Sequence, residues 1–481
     1  MTTAQSVPLP RSTPSEQGVD ANGIAAFVEA AGQVAGVEPH SLMVVKSGHV
    51  VAEGWWAPYT AERPHLVYSV SKSFTSTALG LAVAEGLVDL DATVLSYFPE
   101  LDADVKDPRA RAIKVRHVAA MASGHQEETY GAAELDETGN IVRGFLRIPP
   151  DQEPGSVFAY NQPCTLVLAQ IVQRTSGSGL LDYLRPRLFD PLGVHDAQGW
   201  IKDGQGREIG FSGFSTTTEV LTKLGLLYLQ DGIWDGQRVL PEGWVELATR
   251  EHVSTEDEDE EKVDWRQGYG FQFWRSRHGY RADGAFGQFI LVLPEQDAVV
   301  TITSQSPQMQ ALIDLVWQHL LPALTAGGGS EPADRALAEK LAEVTLPVVT
   351  ERGEATFTAG TFEPVDVAQV SSVYAVAGAS EARAVTGLEI RPGGPTGWEI
   401  VIGDGGTDVV ASLAPSGWVT TGVVATQTTP AKEHSGLRVD VVFLETPHGL
   451  VLELDTEGQK FGAVWETEPL HMLPLAALRT P

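Results

Sequence analysis

Hydrophobic and polar residues follow a helical spacing near the start of the chain and a strand-like spacing soon afterwards. Residues 20–34 have the apolar periodicity of a helix, and Asp20 is a candidate N-cap. Two runs rich in β-branched residues, 41–45 and 50–56, flank a Lys-Ser-Gly turn and predict a β-hairpin. After Val70 the helical spacing returns, which predicts a second, longer helix.

The middle of the chain mixes both patterns. It predicts helices at 166–174, 219–229 and 309–321, and strands at 269–274, 288–294 and 299–304. A long helical block between groups of antiparallel strands favours an α+β sandwich.

A run rich in glycine, at 326–334, is the best candidate for a domain boundary. Beyond a short helix at 336–343, the pattern changes to short strands separated by turn residues, at 409–414, 417–424, 437–445 and 449–455. Such repetition predicts a small β-barrel or β-sandwich. We therefore divide the chain into a first domain at 1–325, a linker with a short helix at 326–344 and a β-rich domain at 345–481.

Composition and charge exclude several classes of function. A length of 481 residues suggests two or three domains. The net charge of −30 argues against a nucleic acid or an anionic membrane as partner. No stretch has the character of a secretory signal or a membrane span, so we expect a cytoplasmic protein.

Cysteine and histidine usage argues against a metal site. The single cysteine, Cys164, rules out an intrachain disulfide, and the twelve histidines show no H-E-x-x-H spacing. We predict no metal and no cofactor. The expected partner is a small-molecule substrate, and homo-oligomerisation is left open.

The chemistry is expected at Ser69-Val70-Ser71-Lys72, directly before the second helix. A serine and a lysine three residues apart lie on one helical face, so the amine can reach the hydroxyl. A serine hydroxyl needs such a base to become a good nucleophile. The exposed N–H groups of a helix start also favour the negative charge of a tetrahedral intermediate. Taken alone, the motif is better explained by an N-cap serine beside a surface lysine.

Five longer stretches of sequence, in order along the chain, favour the catalytic interpretation of this motif. They are LVYSVSKSFTSTALGLAVAEGLVDLD, VRHVAAMASGH, PGSVFAYNQP, GFSGFSTTTEVLTKLGLLYLQDGIWDGQRVLPEGW and YRADGAFGQFILVLPEQDAVV. The chain resembles the superfamily of serine β-lactamases, penicillin-binding proteins and related esterases over most of residues 10–322. That resemblance implies an antiparallel sheet flanked by helices with an all-helical subdomain, and a serine hydrolase activity.

The resemblance also implies roles for residues outside the first motif. Tyr160 matches the tyrosine that shares proton transfer with the lysine, and either Asn161 or Gln162 supplies the amide that follows it. His125 lies on a loop that borders the cleft in similar proteins, which makes it a candidate substrate contact.

The third motif departs from the family pattern. Residues Ala282-Asp283-Gly284 stand where the family has Lys-Thr-Gly or His-x-Gly. Asp283 and Gly284 are candidate substrate contacts, and the N–H groups of Ser69 and Ala285 are the expected oxyanion hole. The missing cation weakens a β-lactamase interpretation and favours an esterase or amidase.

The expected function is therefore hydrolysis of a small amide or ester through an acyl-enzyme on Ser69. Esterases, D-amino-acid amidases and nylon-oligomer hydrolases are the related activities. Whether Lys72 or Tyr160 is the general base is left open. The alternatives are acyl transfer by the same acyl-enzyme and a non-catalytic ligand-binding protein.

Overall fold

The computed structural model describes residues 6–195, 199–349, 353–365, 385–431, 436–471 and 474–479. Its helices are α1 (Ala21–Ala31), α2 (Ser71–Ala84), α3 (Pro108–Ala112), α4 (Val115–Ala119), α5 (Tyr130–Glu134), α6 (Ile141–Arg147), α7 (Gln162–Ser176), α8 (Leu180–Leu184), α9 (Thr218–Leu229), α10 (Trp244–Thr249), α11 (Met309–Leu315), α12 (Leu321–Thr325) and α13 (Glu331–Ala342). None of the helices in these ranges is long and apolar enough to cross a membrane.

The strands fall into a first and a second group along the chain. The first group is β1 (Pro39–Lys46), β2 (His49–Trp55), β3 (His65–Leu66), β4 (Ser215–Thr216), β5 (Ile233–Trp234), β6 (Gln237–Arg238), β7 (Trp274–Arg275), β8 (Tyr280–Gly284), β9 (Gln288–Leu293) and β10 (Ala298–Ser304). The second group is β11 (Gly360–Pro364), β12 (Gly387–Pro392), β13 (Trp398–Gly403), β14 (Val409–Leu413), β15 (Trp418–Thr421), β16 (Val424–Pro430), β17 (Gly436–Phe443), β18 (His448–Asp455) and β19 (Lys460–Trp465).

An antiparallel sheet with the order β2-β1-β10-β9-β8-β7 forms the centre of the first domain. Successive residues of a strand point to opposite faces, and here both faces are apolar. Leu42 and Val44 join a core with α1, α11, α12 and α13. Met43 and Val45 join a larger core with α2, α7 and α9. The sheet is therefore covered by helices on both sides.

The short helices α3 to α6 and the longer α7 lie between α2 and β4 in the chain. Their apolar residues belong to the same core as those of α2, so this helical block packs against α2. Cys164 lies within α7 and is fully buried.

The second sheet has the order β14-β13-β12-β11-β19-β18-β17-β16-β15, antiparallel except between β11 and β19. Its first and last strands approach each other. The N–H of Ser412 donates to Thr421 Oγ1 over 2.9 Å, and Thr426 Oγ1 donates to the carbonyl of Ser412 over 2.6 Å. These bonds make the sheet a nearly closed barrel around its own apolar core.

The predicted α+β fold is confirmed, but the strand predicted at 269–274 is mostly wrong, because only its last residue, Trp274, lies in a strand of the sheet. The chain turns at Gln272, whose φ is 63°, and the buried side chain there bonds to Thr165 and to the carbonyls of Val118 and Ala119. The helix predicted at 309–321 is confirmed and includes a π-type segment, Val316–Leu320.

The division of the chain near residue 325 stays a prediction. Helix α13, placed in the linker by the sequence, packs onto the first domain and buries Leu337 and Leu341 beside α1. The barrel also contacts the first domain directly. Its Ala425, Val442 and Leu444 belong to the same core as α1.

Candidate active site

Ser69 lies at the start of the central helix of the first domain. A single 3-10 turn, Tyr68–Val70, runs directly into α2. The amine of Lys72 lies 2.9 Å from Ser69 Oγ, which is the contact predicted from their spacing. Ser69 is partly exposed, whereas Lys72 is buried with 1% of its surface exposed. A partly exposed hydroxyl is thus in contact with an enclosed amine.

Lys72 is surrounded by acceptors. Besides Ser69, its Nζ contacts Gln162 Oε1 at 2.7 Å and the carbonyl of Phe211 at 2.8 Å. Burial lowers the pKa of Lys72 from 10.5 to about 7, against the opposite influence of Glu128 and Asp283. In the neutral form, two N–H groups serve Gln162 and Phe211, and the lone pair is left for the Ser69 hydroxyl.

Tyr160 approaches the same hydroxyl from the loop before α7. Its phenol is close enough to the side chain of Ser69 to be influenced by it. The amine of Lys72 lies over its ring, 4.7 Å from the centroid. The ring stacks on Trp274 with a centroid distance of 5.5 Å. Burial and the nearby Asp283 raise the pKa of Tyr160, so the phenol is protonated in the free enzyme.

The two amides after Tyr160 have different positions. Gln162 is the first residue of α7 and points its carbonyl oxygen to Lys72. Asn161 is the N-cap and is fully buried, and its Oδ1 accepts from the N–H and the hydroxyl of Thr129. The structure therefore brings Gln162, and not Asn161, to the lysine.

Strand β8 ends against the backbone of the serine turn. A Cβ added to Gly284 would lie 2.2 Å from the carbonyl oxygen of Val67 and 3.2 Å from Ser69 N. Only a glycine allows this approach. The following residue, Ala285, is partly exposed, and its role as the second oxyanion donor stays a prediction.

Asp283 forms a buried ion pair with a residue two positions earlier on the same strand. Arg281 Nε donates to Asp283 Oδ2 over 3.0 Å. Arg281 Nη1 donates to Ser276 Oγ and to the carbonyls of Asp264 and Arg275. With none of its side chain exposed, Arg281 serves the wall of the cleft and offers no surface cation. The carboxyl of Asp283 is close enough to influence both Lys72 and Tyr160.

His125 does not join this group. It is 2% exposed, and its ring nitrogens are engaged by Ser123 Oγ at 2.9 Å and the carbonyl of Ile148 at 3.1 Å. Its ring also packs against Phe145. The sequence placed it on a loop at the cleft, but these contacts give it a place in the packing of the helical block, so we leave it out of the site.

Sequence reasoning missed two of the groups around Lys72. Glu128 accepts from the N–H groups of Gln162 and Tyr130 and thereby caps the start of α7. The carbonyl of Phe211 belongs to a block that the sequence singled out only for its resemblance. A backbone acceptor leaves no signal in residue identity, whereas an acidic residue on a loop before a helix is a detectable cap.

Comparison with known proteins agrees with this geometry. The sequence model of the family described as Beta-lactamase matches residues 24–321. A 6-aminohexanoate-dimer hydrolase of Paenarthrobacter ureafaciens is 27% identical over 287 residues, which are 56% of this chain and 72% of that protein. Penicillin-binding protein 4 of Amycolatopsis lactamdurans is 22% identical over 342 residues, 64% of this chain and 83% of its own.

A solved structure shows the same fold. It is a Bacillus anthracis protein provisionally assigned as a 6-aminohexanoate-dimer hydrolase, with a TM-score of 0.52 and 17% identity over 67% of this chain and 89% of that one. Since the family model spans more than half of the residues, the chain belongs to the beta-lactamase family and is a hydrolase of that family.

Proposed function

We propose that this protein hydrolyses a small amide or ester through an acyl-enzyme on Ser69, with neutral Lys72 as the general base. The observation that carries the proposal is the enclosed amine of Lys72, 2.9 Å from Ser69 Oγ, with a pKa lowered to about 7. An amine of ordinary pKa would be protonated at neutral pH and could not accept the serine proton.

Acylation begins when Ser69 Oγ forms a bond to the substrate carbonyl carbon and its proton passes to Lys72 Nζ. The carbonyl oxygen then carries the negative charge and accepts from the N–H groups of Ser69 and Ala285. The approach of Gly284 to the serine turn supports this pairing of donors. Each such donor is worth about 3–4 kcal/mol of barrier height.

Collapse of the intermediate breaks the bond to the leaving amine or alcohol, which needs a proton. We assign that proton to the phenol of Tyr160, because its raised pKa keeps it protonated and it lies beside Ser69. The Lys72 ammonium then returns a proton to the phenolate, over whose ring it lies. Lys72 is thereby neutral again.

Deacylation repeats the sequence with water as the nucleophile. Lys72 or Tyr160 takes the proton of the attacking water, and Ser69 Oγ leaves with a proton from the same pair. The products are a carboxylic acid and the free enzyme. No metal or cofactor enters any of these steps.

The third motif supports esters and linear amides over β-lactams as substrates. A β-lactam carboxylate needs an accessible cation, and the cation of β8, Arg281, is enclosed and paired with Asp283. The related hydrolase named for the 6-aminohexanoate dimer points to linear amides. We therefore expect p-nitrophenyl esters and short anilides to be cleaved faster than penicillins.

The test is intact-mass analysis after treatment with a fluorophosphonate, combined with p-nitrophenyl acetate hydrolysis. Wild-type protein should gain one adduct and lose activity. Ser69→Ala should gain none and show only background hydrolysis. The matched control is Ser156→Ala, which removes an exposed serine hydroxyl bonded to a nearby carbonyl and should behave as wild type. Labelling or full activity in Ser69→Ala would overturn the proposal.

A further inference from the structure

A short C-terminal segment, residues 468–471, follows β19 and contacts the turn that carries Ser69. The N–H of Leu470 donates to the hydroxyl of Tyr68 over 3.2 Å, and Tyr68 directly precedes Ser69. The side chain of Leu470 packs in a small apolar cluster with Ala285 and Phe286. The segment therefore touches residues beside both predicted oxyanion donors.

His471 extends this contact to a second loop. Its Nε2 forms a hydrogen bond of 2.8 Å with Ser212 Oγ. Its ring stacks on Tyr68 with a centroid distance of 5.7 Å and an interplanar angle of 10°. Ser212 follows Phe211, the residue whose carbonyl holds Lys72. One imidazole thus joins the serine turn to the loop behind the lysine.

His471 is close enough to Lys72 to be influenced by its charge. Burial lowers the pKa of His471 to about 4, and the charge of Lys72 acts in the same direction. The ring is therefore neutral near pH 7 and presents a largely apolar face. His471 keeps part of its surface exposed.

Tyr160 packs against residues other than those that His471 contacts. It stacks on Trp274 and meets Tyr269 edge-on, both of which belong to the stretch before β8. The leaving group is expected beside Tyr160, which protonates it under the proposed function. The C-terminal segment, which packs on Tyr68 and Ser212, then faces the other half of the substrate.

We propose that the C-terminal segment is the acyl-side wall of the cleft and that His471 limits the length of the acyl group the enzyme accepts. This inference rests on the proposed acyl-enzyme function, because Tyr160 defines the leaving-group side. His471 is a specificity-determining residue in this scheme and takes no part in proton transfer.

The test compares p-nitrophenyl acetate, butyrate and octanoate, which share a leaving group and differ only in acyl length. For His471→Ala, the ratio of kcat/KM for octanoate to that for acetate should rise by about ten-fold, since each methylene admitted to an apolar pocket is worth a factor of that order or more. His471→Phe, which fills the space, should lower the ratio. His49→Ala, at the β1–β2 hairpin and bonded to Ser47, is the matched control and should leave it unchanged.

Fluorophosphonate labelling of Ser69 separates the two proposals. Variants of His471 that label normally and show the shifted ratio support the inference. Normal labelling with an unchanged ratio in both variants overturns it and leaves the acyl-enzyme proposal intact. A purely structural role would lower hydrolysis of all three esters equally, which also counts against it. Failure of wild-type protein to label would instead refute the proposed function.

Discussion

At the scale of single residues, the candidate site holds a buried amine whose pKa is lowered to about 7. Lys72 is 1% exposed, and its three partners are a hydroxyl, an amide carbonyl and a backbone carbonyl. None of these is a carboxylate that would hold the ammonium form by direct contact. The two acidic side chains that influence it, Glu128 and Asp283, are engaged by a helix start and by Arg281.

This environment predicts the pH dependence of the reaction. The pKa of about 7 for Lys72 means that the neutral amine forms as the pH rises, so kcat/KM for a neutral ester should increase through pH 7 and level off above it.

Replacing Glu128 with Gln removes a negative charge that raises the pKa of Lys72. The rise of kcat/KM with pH should therefore occur at lower pH in this variant. A pH–rate profile of p-nitrophenyl acetate hydrolysis measures both.

The control for that profile is Glu127→Gln, which neutralises an exposed neighbour of Glu128 in the same loop. The rise of its kcat/KM with pH should coincide with that of the wild type. Two results would contradict neutral Lys72 as the base. One is a pH–rate profile of Glu128→Gln whose rising part coincides with that of the wild type. The other is a wild-type kcat/KM that rises only near the ordinary lysine pKa.

The residues of the candidate site were predictable from sequence to different degrees. Ser69 and Lys72 share one helical face, so their contact follows from spacing alone. Tyr160 was found by resemblance, because nothing local ties it to α2. The choice between Asn161 and Gln162 was left open, since both carry an amide and only the direction of the chain entering α7 decides which one meets Lys72.

At the scale of elements, the site is made where the end of β8 meets the turn before α2. Gly284 has no room for a side chain because the carbonyl of Val67 would lie 2.2 Å from its Cβ. The strand can therefore approach the serine turn closely, which supports the proposed pairing of the two N–H donors. The sequence predicted this glycine, but the strand predicted just before it, at 269–274, is mostly irregular.

Gly284→Ala should separate the strand from the turn and weaken the oxyanion hole. We expect kcat for p-nitrophenyl acetate to fall about 100-fold or more, which matches the loss of one oxyanion donor. Gly462→Ala is the control, because a Cβ on that strand glycine of the barrel meets nothing within 4 Å. Circular dichroism should show both variants folded. An active Gly284→Ala enzyme would mean that the close approach is not needed.

At the scale of the whole molecule, the barrel and the first domain are in contact next to Ser69. Tyr68 has a φ of 45°, a left-handed conformation that is uncommon outside glycine. Its hydroxyl meets His448 Nε2 at 2.5 Å and accepts from the N–H of Leu470. Residues 380 or more positions apart thus hold the turn, and no local pattern in the sequence could have indicated this.

Tyr68→Phe should destabilise the protein because it leaves the buried His448 without this partner. We expect the free energy of unfolding to fall by about 1–3 kcal/mol. Tyr59→Phe is the matched control, since the buried hydroxyl of Tyr59 has no hydrogen-bond partner among the described residues. Urea denaturation followed by fluorescence measures the difference. Equal stability of the two variants would show that the barrel contact contributes nothing at this point.

Because Cys164 is buried, a fluorescent label can be attached selectively near Ser69. Cys164 is the only cysteine in the sequence, and burial raises the pKa of its thiol to about 12, so maleimides should not modify the folded protein. A cysteine introduced at an exposed site near Ser69 would then be the single reactive thiol. A fluorophore attached there could follow substrate entry in real time without prior removal of any native residue.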